Sequence, residues 1–316
     1  MSSYLVLAGG LSPERDVSLR SGRRVAEALR TASGVEVIEA DVDASLIEIL
    51  HKHRPDCVIP VLHGAAGEDG ALRDVLTSLN LPYVGATGAA ARLAFDKPVA
   101  KSLLAQAGVS TPAVLALPHA TFRELGAGGL LTGIREYLGL PIMVKPTSGG
   151  SALGASIVRT AEDFPSAMVG AFAYSEVAMM EQYVNGTEVA ISVLETADGI
   201  IALPAVEIVP ESGIYDYNSR YTAGTTEFFV PARLSNELAA ECARIAVLAH
   251  QVLGLRDWSR TDLIIDESGT PWFLETNAAP GMTETSLYPQ ALHAAGLSLG
   301  DITTALVERA IARASL

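Results

Sequence analysis

The sequence predicts a mixed α/β and α+β fold in which an N-terminal parallel sheet precedes two further units. Three observations predict it. Short apolar strands alternate with helical segments across residues 1–95, a pattern typical of parallel strands with helical crossovers. A Gly/Ser-rich loop then follows a strand that ends in a lysine, and a hairpin with acidic residues lies near the C-terminus. The length of 316 residues is consistent with two or three domains.

Composition and charge exclude several classes of function. Apolar residues make up 49% of the chain, and no apolar run has the length of a membrane-spanning helix. The net charge of −14 argues against nucleic acid and against an anionic membrane surface, although a few focused cations can still bind ATP. The N-terminus lacks the basic segment of a signal peptide, and Cys57 and Cys242 lack metal-ligand spacing. We therefore expect a cytoplasmic protein with two core cysteines.

The first 95 residues are predicted to form a domain of parallel strands and helices. Strands are predicted at 4–7, 35–38 and 57–62, and helices at 16–30, 46–53 and 69–79. The loops after the strands carry Gly9-Gly10, His63-Gly64 and Gly85-Ala86. Because ligands bind outside the carboxyl ends of such strands, we expect part of a binding site there. The spacing G-x-G-x-x-G is absent around Gly9-Gly10, which argues against a dinucleotide-dependent dehydrogenase.

The central region, residues 96–185, is predicted to contribute a phosphate-binding loop. A helix is predicted at 97–107, and strands at 141–146, 156–158 and 178–183. The loop 147–154 follows Lys145 and is rich in glycine and serine. Glycines let backbone N–H groups approach phosphate oxygens, and the lysine adds a charge. The order differs from G-x-x-x-x-G-K-[ST], and an ordinary hairpin loop is the alternative for this segment taken alone.

The C-terminal region, residues 186–316, is predicted to surround a hairpin with a lid and helices. Strands are predicted at 189–194 and 200–206, a Tyr-rich loop of lid length at 212–224, and helices at 235–253 and 302–313. The predicted hairpin places Asp262 at the start of one apolar run and Glu275 and Asn277 at the end of the next.

These three side chains predict a metal site. Glu275 and Asn277 are two residues apart and so point to one face of a strand, with Asp262 across from them. Two carboxylates and an amide oxygen suit Mg²⁺ carrying substrate phosphates better than zinc. A solvated acidic hairpin is the alternative explanation for the pattern alone.

The order of these features resembles the ATP-grasp superfamily, and the finer match, to the D-alanine–D-alanine ligase family, covers nearly the whole chain. Four motifs carry the resemblance: residues 9–22, His63-Gly64 with residues 67–70, Tyr215-Asp216-Tyr217 with Tyr221, and Asn277 with residues 280–283 and Ser286-Leu287. The resemblance implies an ATP-grasp fold with an N-terminal preATP-grasp domain at 1–95, which holds the first D-alanine. It implies a central ATP-grasp subdomain at 96–185 and a C-terminal one at 186–316, which carries the magnesium and acceptor sites.

The resemblance also implies an activity and its ligands. The expected enzyme is an ATP-dependent carboxylate–amine ligase that joins two D-alanine molecules through an acyl phosphate, for peptidoglycan synthesis. The implied nucleotide-binding residues are Lys97 and Lys145 for the phosphates of ATP, and Glu181, Val184 and Glu188 for adenine and ribose. Asp262, Glu275 and Asn277 are implied to bind two Mg²⁺, with Mn²⁺ as an alternative ion. A homodimer built on the N-terminal domains is implied as well.

The remaining implied residues act on the amino acids. Glu14 is implied to bind the ammonium of the first D-alanine, with His63 near its carboxylate, and Glu14, Ser151 and Tyr221 to form a hydrogen-bonded triad that shuts the lid. Arg260 and the backbone of Gly281 are implied to stabilise the tetrahedral oxyanion, and Ser286 and Leu287 to hold the second D-alanine.

Several positions depart from the family pattern and leave the second substrate open. Gln182 and Arg220 stand where the family usually has lysine, and Ala86 replaces a common serine. The loop at 149–152 and Ala278 also differ from the usual run. A related ligase that uses D-lactate, D-serine or a specialised-metabolite amino acid as acceptor is therefore the alternative. A catalytically silent homologue would have lost metal ligands, and all three are present.

Overall fold

The N-terminal unit is built on a parallel sheet, as predicted. The computed structural model describes residues 3–216, 219–220, 222 and 224–314. The sheet has the order β2–β1–β3 with both pairings parallel. Its strands are β1 (Ser3–Ala8), β2 (Glu36–Asp41) and β3 (Cys57–Pro60). All six residues of β1 are buried, which explains why its sequence reads as one apolar run.

The three predicted helices of this unit form, and two further short helices were not predicted. The helices are α1 (Arg15–Ser33), α2 (Leu46–His53), α3 (Ala65–Glu68), α4 (Ala71–Ser78) and α5 (Gly88–Phe95), of which α3 and α5 are the additional ones. The helix predicted at 69–79 forms as α4 but begins only after Gly70, which has a φ of +84°. A Cβ at Gly70 would lie 2.2 Å from the carbonyl oxygen of Gly88. The glycine therefore lets α4 approach α5 closely.

The central unit is an antiparallel sheet covered by helices. Its strands have the order β4–β7–β5–β6, and α6 leads into it. The elements are α6 (Lys97–Gln106), β4 (Val114–Pro118), α7 (His119–Leu125), α8 (Ala127–Leu138), β5 (Ile142–Pro146), β6 (Ser156–Val158), α9 (Phe164–Phe172) and β7 (Val177–Gln182). Three of these helices and β4 were not predicted. The unpredicted α8 carries glycines at 128, 129 and 133, which lower its intrinsic helix propensity.

The C-terminal unit contains the sheet that carries the predicted metal hairpin. Its strand order is β11–β10–β8–β12–β13, and β9 pairs with β8. The elements are β8 (Thr187–Thr196), β9 (Gly199–Ala202), β10 (Val206–Pro210), β11 (Thr226–Phe229), α10 (Asn236–Val252), β12 (Trp258–Ile265), β13 (Pro271–Asn277), α11 (Leu287–Ala294) and α12 (Leu299–Ala314). The strand predicted at 200–206 is divided into β9 and β10 at Pro204, which has no N–H to donate to a ladder.

Four clusters of buried apolar side chains organise the described part of these units. Val6 of β1 packs in one cluster with Leu194 of β8 and Tyr288 of α11, so the N-terminal and C-terminal units share a core. The central sheet has its own cluster, which includes Phe164 and Met180. Helix α6 packs into a cluster with the C-terminal unit, although the predicted boundary at 96 assigns it to the central one. The domain boundaries stay a prediction.

Charged contacts fix the N-terminal unit to the strand that carries the site. Asp257 is fully buried, just before β12, and its carboxylate accepts a hydrogen bond of 2.7 Å from the backbone N–H of Gly85. Arg313 of α12 donates two more to the same carboxylate, at 2.6 and 2.8 Å. The Nε of Arg256 donates to the carbonyl of Gly85 at 2.6 Å. Both backbone groups of Gly85 are thus held by the segment that leads into β12.

Nothing in the described part of the chain is a candidate for crossing a membrane, because no helix there is both long enough and apolar enough.

Candidate active site

Two adjoining cavities lie between the three units and take up the predicted site residues. The larger lies between the central and C-terminal sheets and spans about 1980 Å³, and the smaller spans about 820 Å³ beside the N-terminal unit, where both volumes include space open to solvent. The larger cavity has room for a bigger ligand than the smaller one. The residues that line both cavities are Lys97, Gly149, Gly150, Tyr215, Arg220 and Glu275. A group held at this junction is within reach of ligands in both cavities.

The hairpin brings the three predicted metal ligands together. In the register of β12 and β13, Asp262 is opposite Glu275, and Arg260 is opposite Asn277. A register irregularity follows directly, between Asp262 and Leu263, and such irregularities re-aim side chains next to active sites. Asp262 lines the larger cavity, Asn277 the smaller, and Glu275 both. The two carboxylates therefore face each other at the junction.

Cations compensate these carboxylates. The guanidinium of Arg260 donates from Nε and Nη2 to Asp262, at 2.7 and 2.8 Å, and the Nζ of Lys97 lies 3.3 Å from Glu275. Burial alone would raise the pKa of Glu275, but the surrounding cations, Lys97 first, lower it to about 2. Burial alone would lower the pKa of Arg260, but the adjacent carboxylate of Asp262 has the larger effect and raises it. Both groups stay charged at neutral pH.

The donor set fits a hard divalent cation. It consists of two carboxylates and the amide oxygen of Asn277, which accepts a hydrogen bond of 2.7 Å from the backbone N–H of Ala279. Oxygen donors of this kind suit Mg²⁺. Across the described residues, no three His, Cys, Asp or Glu side chains gather closely enough to hold a metal, so a site here needs the amide or oxygens from a ligand. Mg²⁺ commonly binds through one or two carboxylates together with substrate phosphates.

The predicted phosphate-binding residue Lys97 contacts the Gly/Ser loop directly. Lys97 begins α6 after the N-cap Asp96, whose side chain accepts from the backbone N–H of Val99, and its Nζ donates to the carbonyl of Gly149 at 2.7 Å. Ser151 and Ala152 both have φ near +55° (54° and 56°), a conformation that L-residues rarely adopt. The loop is therefore held in a strained shape that lines both cavities.

Lys145 is paired with Glu181, for which the sequence predicted contacts with adenine and ribose and no ion pair. The Nζ of Lys145 lies 2.6 Å from Oε1 of Glu181, and the Nζ of Lys101 lies 2.9 Å from Oε2. Burial opposes ionisation of this carboxyl, but Lys101 and Lys145 lower its pKa. The carboxylate is thus engaged by two ammonium groups at the position where adenine contacts were expected. Sequence reasoning missed Lys101, although its spacing of four from Lys97 places both on one helix face.

The other predicted nucleotide residues line the larger cavity. Val184 and Glu188 both do so, as does Gln182, the position that departs from the family pattern. Burial raises the pKa of Glu188 to about 7. A carboxyl group in this state accepts or donates a hydrogen bond near neutral pH, as sugar hydroxyls require.

Two members of the predicted lid triad contact each other in the smaller cavity. The hydroxyl of Ser151 donates to Oε1 of Glu14. This contact joins the Gly/Ser loop of the central unit to the start of α1, where Glu14 is the N-cap residue. Burial raises the pKa of Glu14, against the lowering effects of Ser151, Arg220 and Lys97. The third member, Tyr221, lies outside the described residues, as does Tyr217.

His63 is buried under the smaller cavity as a neutral imidazole. Its Nδ1 lies 3.1 Å from the carbonyl oxygen of Ala279, and its Nε2 lies 3.1 Å from the hydroxyl of Ser21. A carbonyl only accepts, so Nδ1 carries the proton and Nε2 accepts from Ser21. Burial lowers the pKa of His63 to about 4. The side chain therefore supports the cavity wall without a charge.

We expect His63 to make the protein less stable in acid. Above pH 6.5 the imidazole is neutral in both the folded and the unfolded state. Between pH 6.5 and about 4 only the unfolded state binds the proton, so the free energy of unfolding falls by about 1.4 kcal/mol per pH unit from this group. The free energy of unfolding, measured in urea between pH 6.5 and 4, should fall less steeply with decreasing pH for His63→Gln than for the unchanged protein. Equal slopes would contradict the assignment.

The loop that precedes α11, which was predicted to hold the second amino acid, is held by hydrogen bonds between its own side chains and backbone. Ser286 precedes α11, and its Oγ accepts from the backbone N–H of Thr283 at 3.0 Å and lies 2.8 Å from the hydroxyl of Thr283. A Cβ at Gly281 would lie 2.8 Å from this Oγ, so a glycine is needed for the close approach. Ser286, Leu287 and Gly281 all line the smaller cavity.

The structure adds two cavity residues to which the sequence analysis gave no role, Glu68 and Arg220. Burial raises the pKa of Glu68 to about 8, and its Oε1 accepts from the backbone N–H of Gly64 at 2.8 Å. Arg220 stacks on the ring of Tyr215 at 4.1 Å and donates to the Tyr215 carbonyl at 3.2 Å. The sequence did contain a signal for each residue. Glu68 lies in the motif at residues 67–70, and Arg220 stands where the family usually has lysine.

Comparison with known proteins gives one consistent result. The sequence profile of the family described as "D-ala D-ala ligase C-terminus" matches residues 103–308. A D-alanine–D-alanine ligase from Pelotomaculum thermopropionicum is 37% identical over 306 residues, which are 97% of this chain and 96% of that protein.

Solved structures agree with the sequence comparison. The D-alanine–D-alanine ligase from Bacillus anthracis complexed with ATP is 26% identical, with a TM-score of 0.82 over 100% of this chain and 99% of that one. The VanG D-Ala:D-Ser ligase from Enterococcus faecalis is 27% identical, with a TM-score of 0.84 over 98% of this chain and 99% of that one. The ATP-grasp fold that the sequence predicted is confirmed by these neighbours.

Proposed function

Because the chain belongs to the D-alanine–D-alanine ligase family, we infer that it is an ATP-dependent ligase that joins two D-alanine molecules. The product is the D-alanyl-D-alanine dipeptide used in peptidoglycan synthesis, and the reaction passes through an acyl phosphate. The observation that carries this conclusion is the junction of the two cavities at Lys97, Arg220 and Glu275. At this junction the end of a nucleotide and the carboxylate of an amino acid can meet.

We propose that ATP occupies the larger cavity. Lys97 and Lys145 would bind its phosphates, with backbone N–H groups of the loop at 149–152 beside them. Val184, Glu188 and the strand that carries Glu181 would hold the adenine and ribose. The lining by both lysines and by Glu188 supports this orientation. Phosphate oxygens would accept charge-assisted hydrogen bonds from Lys97, Lys145 and Arg220.

We propose that Asp262, Glu275 and Asn277 hold two Mg²⁺ ions, with Mn²⁺ as an alternative. When bound, the metal neutralises negative charge on the phosphate oxygens. Asp262 and Glu275 supply the carboxylates, and their opposite positions in the hairpin, both at the wall of the larger cavity, support the assignment. Arg260 and Lys97, which compensate these carboxylates, keep the site charged and ordered.

The first D-alanine would bind in the smaller cavity between Glu14 and His63. A carboxylate such as Glu14 pairs with an ammonium, and the contact between Glu14 and Ser151 supports a closed arrangement around it. The carboxylate of D-alanine is a poor electrophile until phosphorylation gives it a good leaving group. An acyl phosphate hydrolyses readily, so the lid, latched by Glu14, Ser151 and Tyr221 in this proposal, has to exclude water.

The second D-alanine would attack the acyl phosphate from the side of Ser286 and Leu287. The neutral amine adds to the carbonyl carbon and the carbonyl oxygen becomes negative. The C–O bond to the phosphoryl group then breaks, phosphate leaves, and the nitrogen gives up one proton to the departing phosphate or to solvent. Arg260 and the backbone N–H of Gly281 are proposed to stabilise that oxygen. The pair with Asp262 uses Nε and Nη2 of Arg260, which fixes the plane of the guanidinium and leaves Nη1 for the oxyanion.

An acceptor panel tests the proposed function. With ATP, Mg²⁺ and D-alanine, we expect phosphate release and the dipeptide, identified by mass spectrometry. The alternative, favoured by the VanG D-Ala:D-Ser ligase among the structural neighbours and by Arg220 in the lid, is another acceptor. D-serine, D-lactate and other amino acids therefore belong in the same panel. If D-alanine gives no product and another acceptor does, the protein is the related ligase with that acceptor instead.

We further propose that the protein is a homodimer built on the N-terminal domains and that it acts in the cytoplasm. The family resemblance supports the dimer. Sedimentation equilibrium measures the mass directly, and a species at the monomer mass of 33.0 kDa across micromolar concentrations would remove this proposal.

A further inference from the structure

A buried lysine behind the nucleotide cavity has no role in the proposed function so far. Lys101 lies on α6, is 1% exposed, and lines neither cavity. Its Nζ lies 2.9 Å from Oε2 of Glu181 and donates to the carbonyl of Phe273 at 2.9 Å. A buried ammonium is costly unless it is paired and hydrogen-bonded. The carbonyl and the carboxylate meet that requirement.

Lys101 links both sides of the nucleotide cavity. Glu181 lies on β7 of the central sheet, whereas Phe273 lies on β13, two residues before Glu275. Helix α6 itself packs in the core of the C-terminal unit. The ammonium therefore joins the strand behind Lys145 to the strand that carries the predicted metal ligand.

Lysine is rare in this chain, which makes its use here informative. The 316 residues contain four lysines, among 22 lysine and arginine residues in total. Three of the four, Lys97, Lys101 and Lys145, contact the carboxylates of Glu181 or Glu275. Arginine serves nearly everywhere else, so a compact ammonium is kept where the fit is tight.

Glu181 is shared between two lysines that have different surroundings. Its Oε1 contacts Lys145, which lines the nucleotide cavity, and its Oε2 contacts Lys101, which does not. Glu181 is 2% exposed, so losing every cation would leave a buried unpaired charge. If Lys145 turns toward a phosphate, Lys101 is the cation that stays.

We propose that Lys101 is a positioning residue that keeps Glu181 paired and so releases Lys145 to bind the phosphates of the nucleotide. This inference rests on the proposed function, because it takes Lys145 as a phosphate-binding group. Without Lys101, Glu181 would have Lys145 as its sole counter-ion and would compete with the phosphates for it. The phosphates, rather than the adenosine part of the nucleotide, should then lose affinity.

The test compares ADP with adenosine in Lys101→Met. The substitution removes the charge but keeps an unbranched side chain, and Lys52→Met, at an exposed position of α2, is the matched control. We expect the Kd for ADP to rise by about 10-fold or more, the loss typical of a charge-assisted hydrogen bond. The Kd for adenosine should change by less than about twofold, since adenosine has no phosphate. Equal losses for both ligands, or no loss for ADP, would overturn the proposal.

A second variant separates positioning from simple loss of structure. In Lys101→Met with Glu181→Gln the competing carboxylate is gone, so loss of the lysine should change the Kd for ADP by less than about threefold relative to Glu181→Gln alone. A loss as large as the one measured with Glu181 in place would show that the lysine does not act through the carboxylate and would overturn the proposal. Should Lys101→Met not fold, Lys101→Gln carries the test, because it keeps a donor for the Phe273 carbonyl but has no charge to pair with Glu181. It should raise the Kd for ADP by about 10-fold or more and that for adenosine by less than about twofold, and equal losses would overturn the proposal.

These binding ratios are independent of turnover. A protein that forms no dipeptide contradicts the proposed function, whereas the ratio between the variant and the unchanged protein addresses Lys101.

Discussion

Glu275→Gln should abolish ligase turnover while the protein keeps its fold. The glutamine has nearly the same shape but no charge, so it provides a weaker metal ligand and no partner for Lys97. Changing a residue that only supports a metal ligand costs about 10- to 100-fold, so the loss of a ligand should exceed about 100-fold in kcat. Phosphate release with saturating ATP and D-alanine measures it, and circular dichroism checks the fold.

The control for this variant lies in the same hairpin. Glu267 is exposed in the turn between β12 and β13, so Glu267→Gln changes the net charge equally without touching either cavity. It should leave kcat within about twofold of the unchanged protein, as is usual for exposed substitutions. Near-normal activity of Glu275→Gln would remove the metal assignment.

Arg260→Lys is expected to have the second largest effect. The lysine keeps a positive charge near Asp262 but loses the planar fork that donates two hydrogen bonds to it. Removing one donor to a developing oxyanion costs about 100- to 1000-fold in kcat, and we expect a loss in this range. The KM for ATP should change little, because Arg260 lines the smaller cavity and not the larger one, where we propose that ATP binds.

Arg244→Lys is the matched control for that experiment. Arg244 forms an exposed ion pair with Glu241 on α10, where exchange of the two cations should be neutral. A fall in the affinity for ATP with an unchanged kcat in Arg260→Lys would contradict the oxyanion role and place the arginine with the nucleotide instead.

Much of the fold follows from local sequence signals. The parallel N-terminal sheet was predictable because β1 and β3 are buried on both faces and read as apolar runs. The hairpin of β12 and β13, which carries the predicted metal ligands, was predictable because a Gly-containing turn separates two apolar strands. The position of Asp262 across from Glu275 followed from that hairpin. Ser235 marked the start of α10, where its hydroxyl accepts from the backbone N–H of Leu238.

Other features depend on contacts that a local pattern does not contain. The helix predicted at 69–79 begins only after Gly70, where the chain passes close to Gly88. Helix α8 forms despite three glycines because Ile134 and Leu138 are buried in the central core. Lys101 reads as one more helical lysine until the fold places Glu181 and the Phe273 carbonyl beside it. The sequence nevertheless offered candidates for the site residues, because their motifs occur in order along the chain, and the roles of these residues stay predictions.

The central claim is that Asp262, Glu275 and Asn277 hold the metal that accompanies ATP at the junction of the two cavities. A crystal grown with Mn²⁺ and a non-hydrolysable ATP analogue tests it, because the anomalous signal of manganese locates the metal independently of the side chains. We predict peaks within coordination distance, about 2.1–2.2 Å, of oxygens from these three residues and from the phosphates. Manganese bound elsewhere, or these side chains directed into solvent away from the metal, would contradict the account.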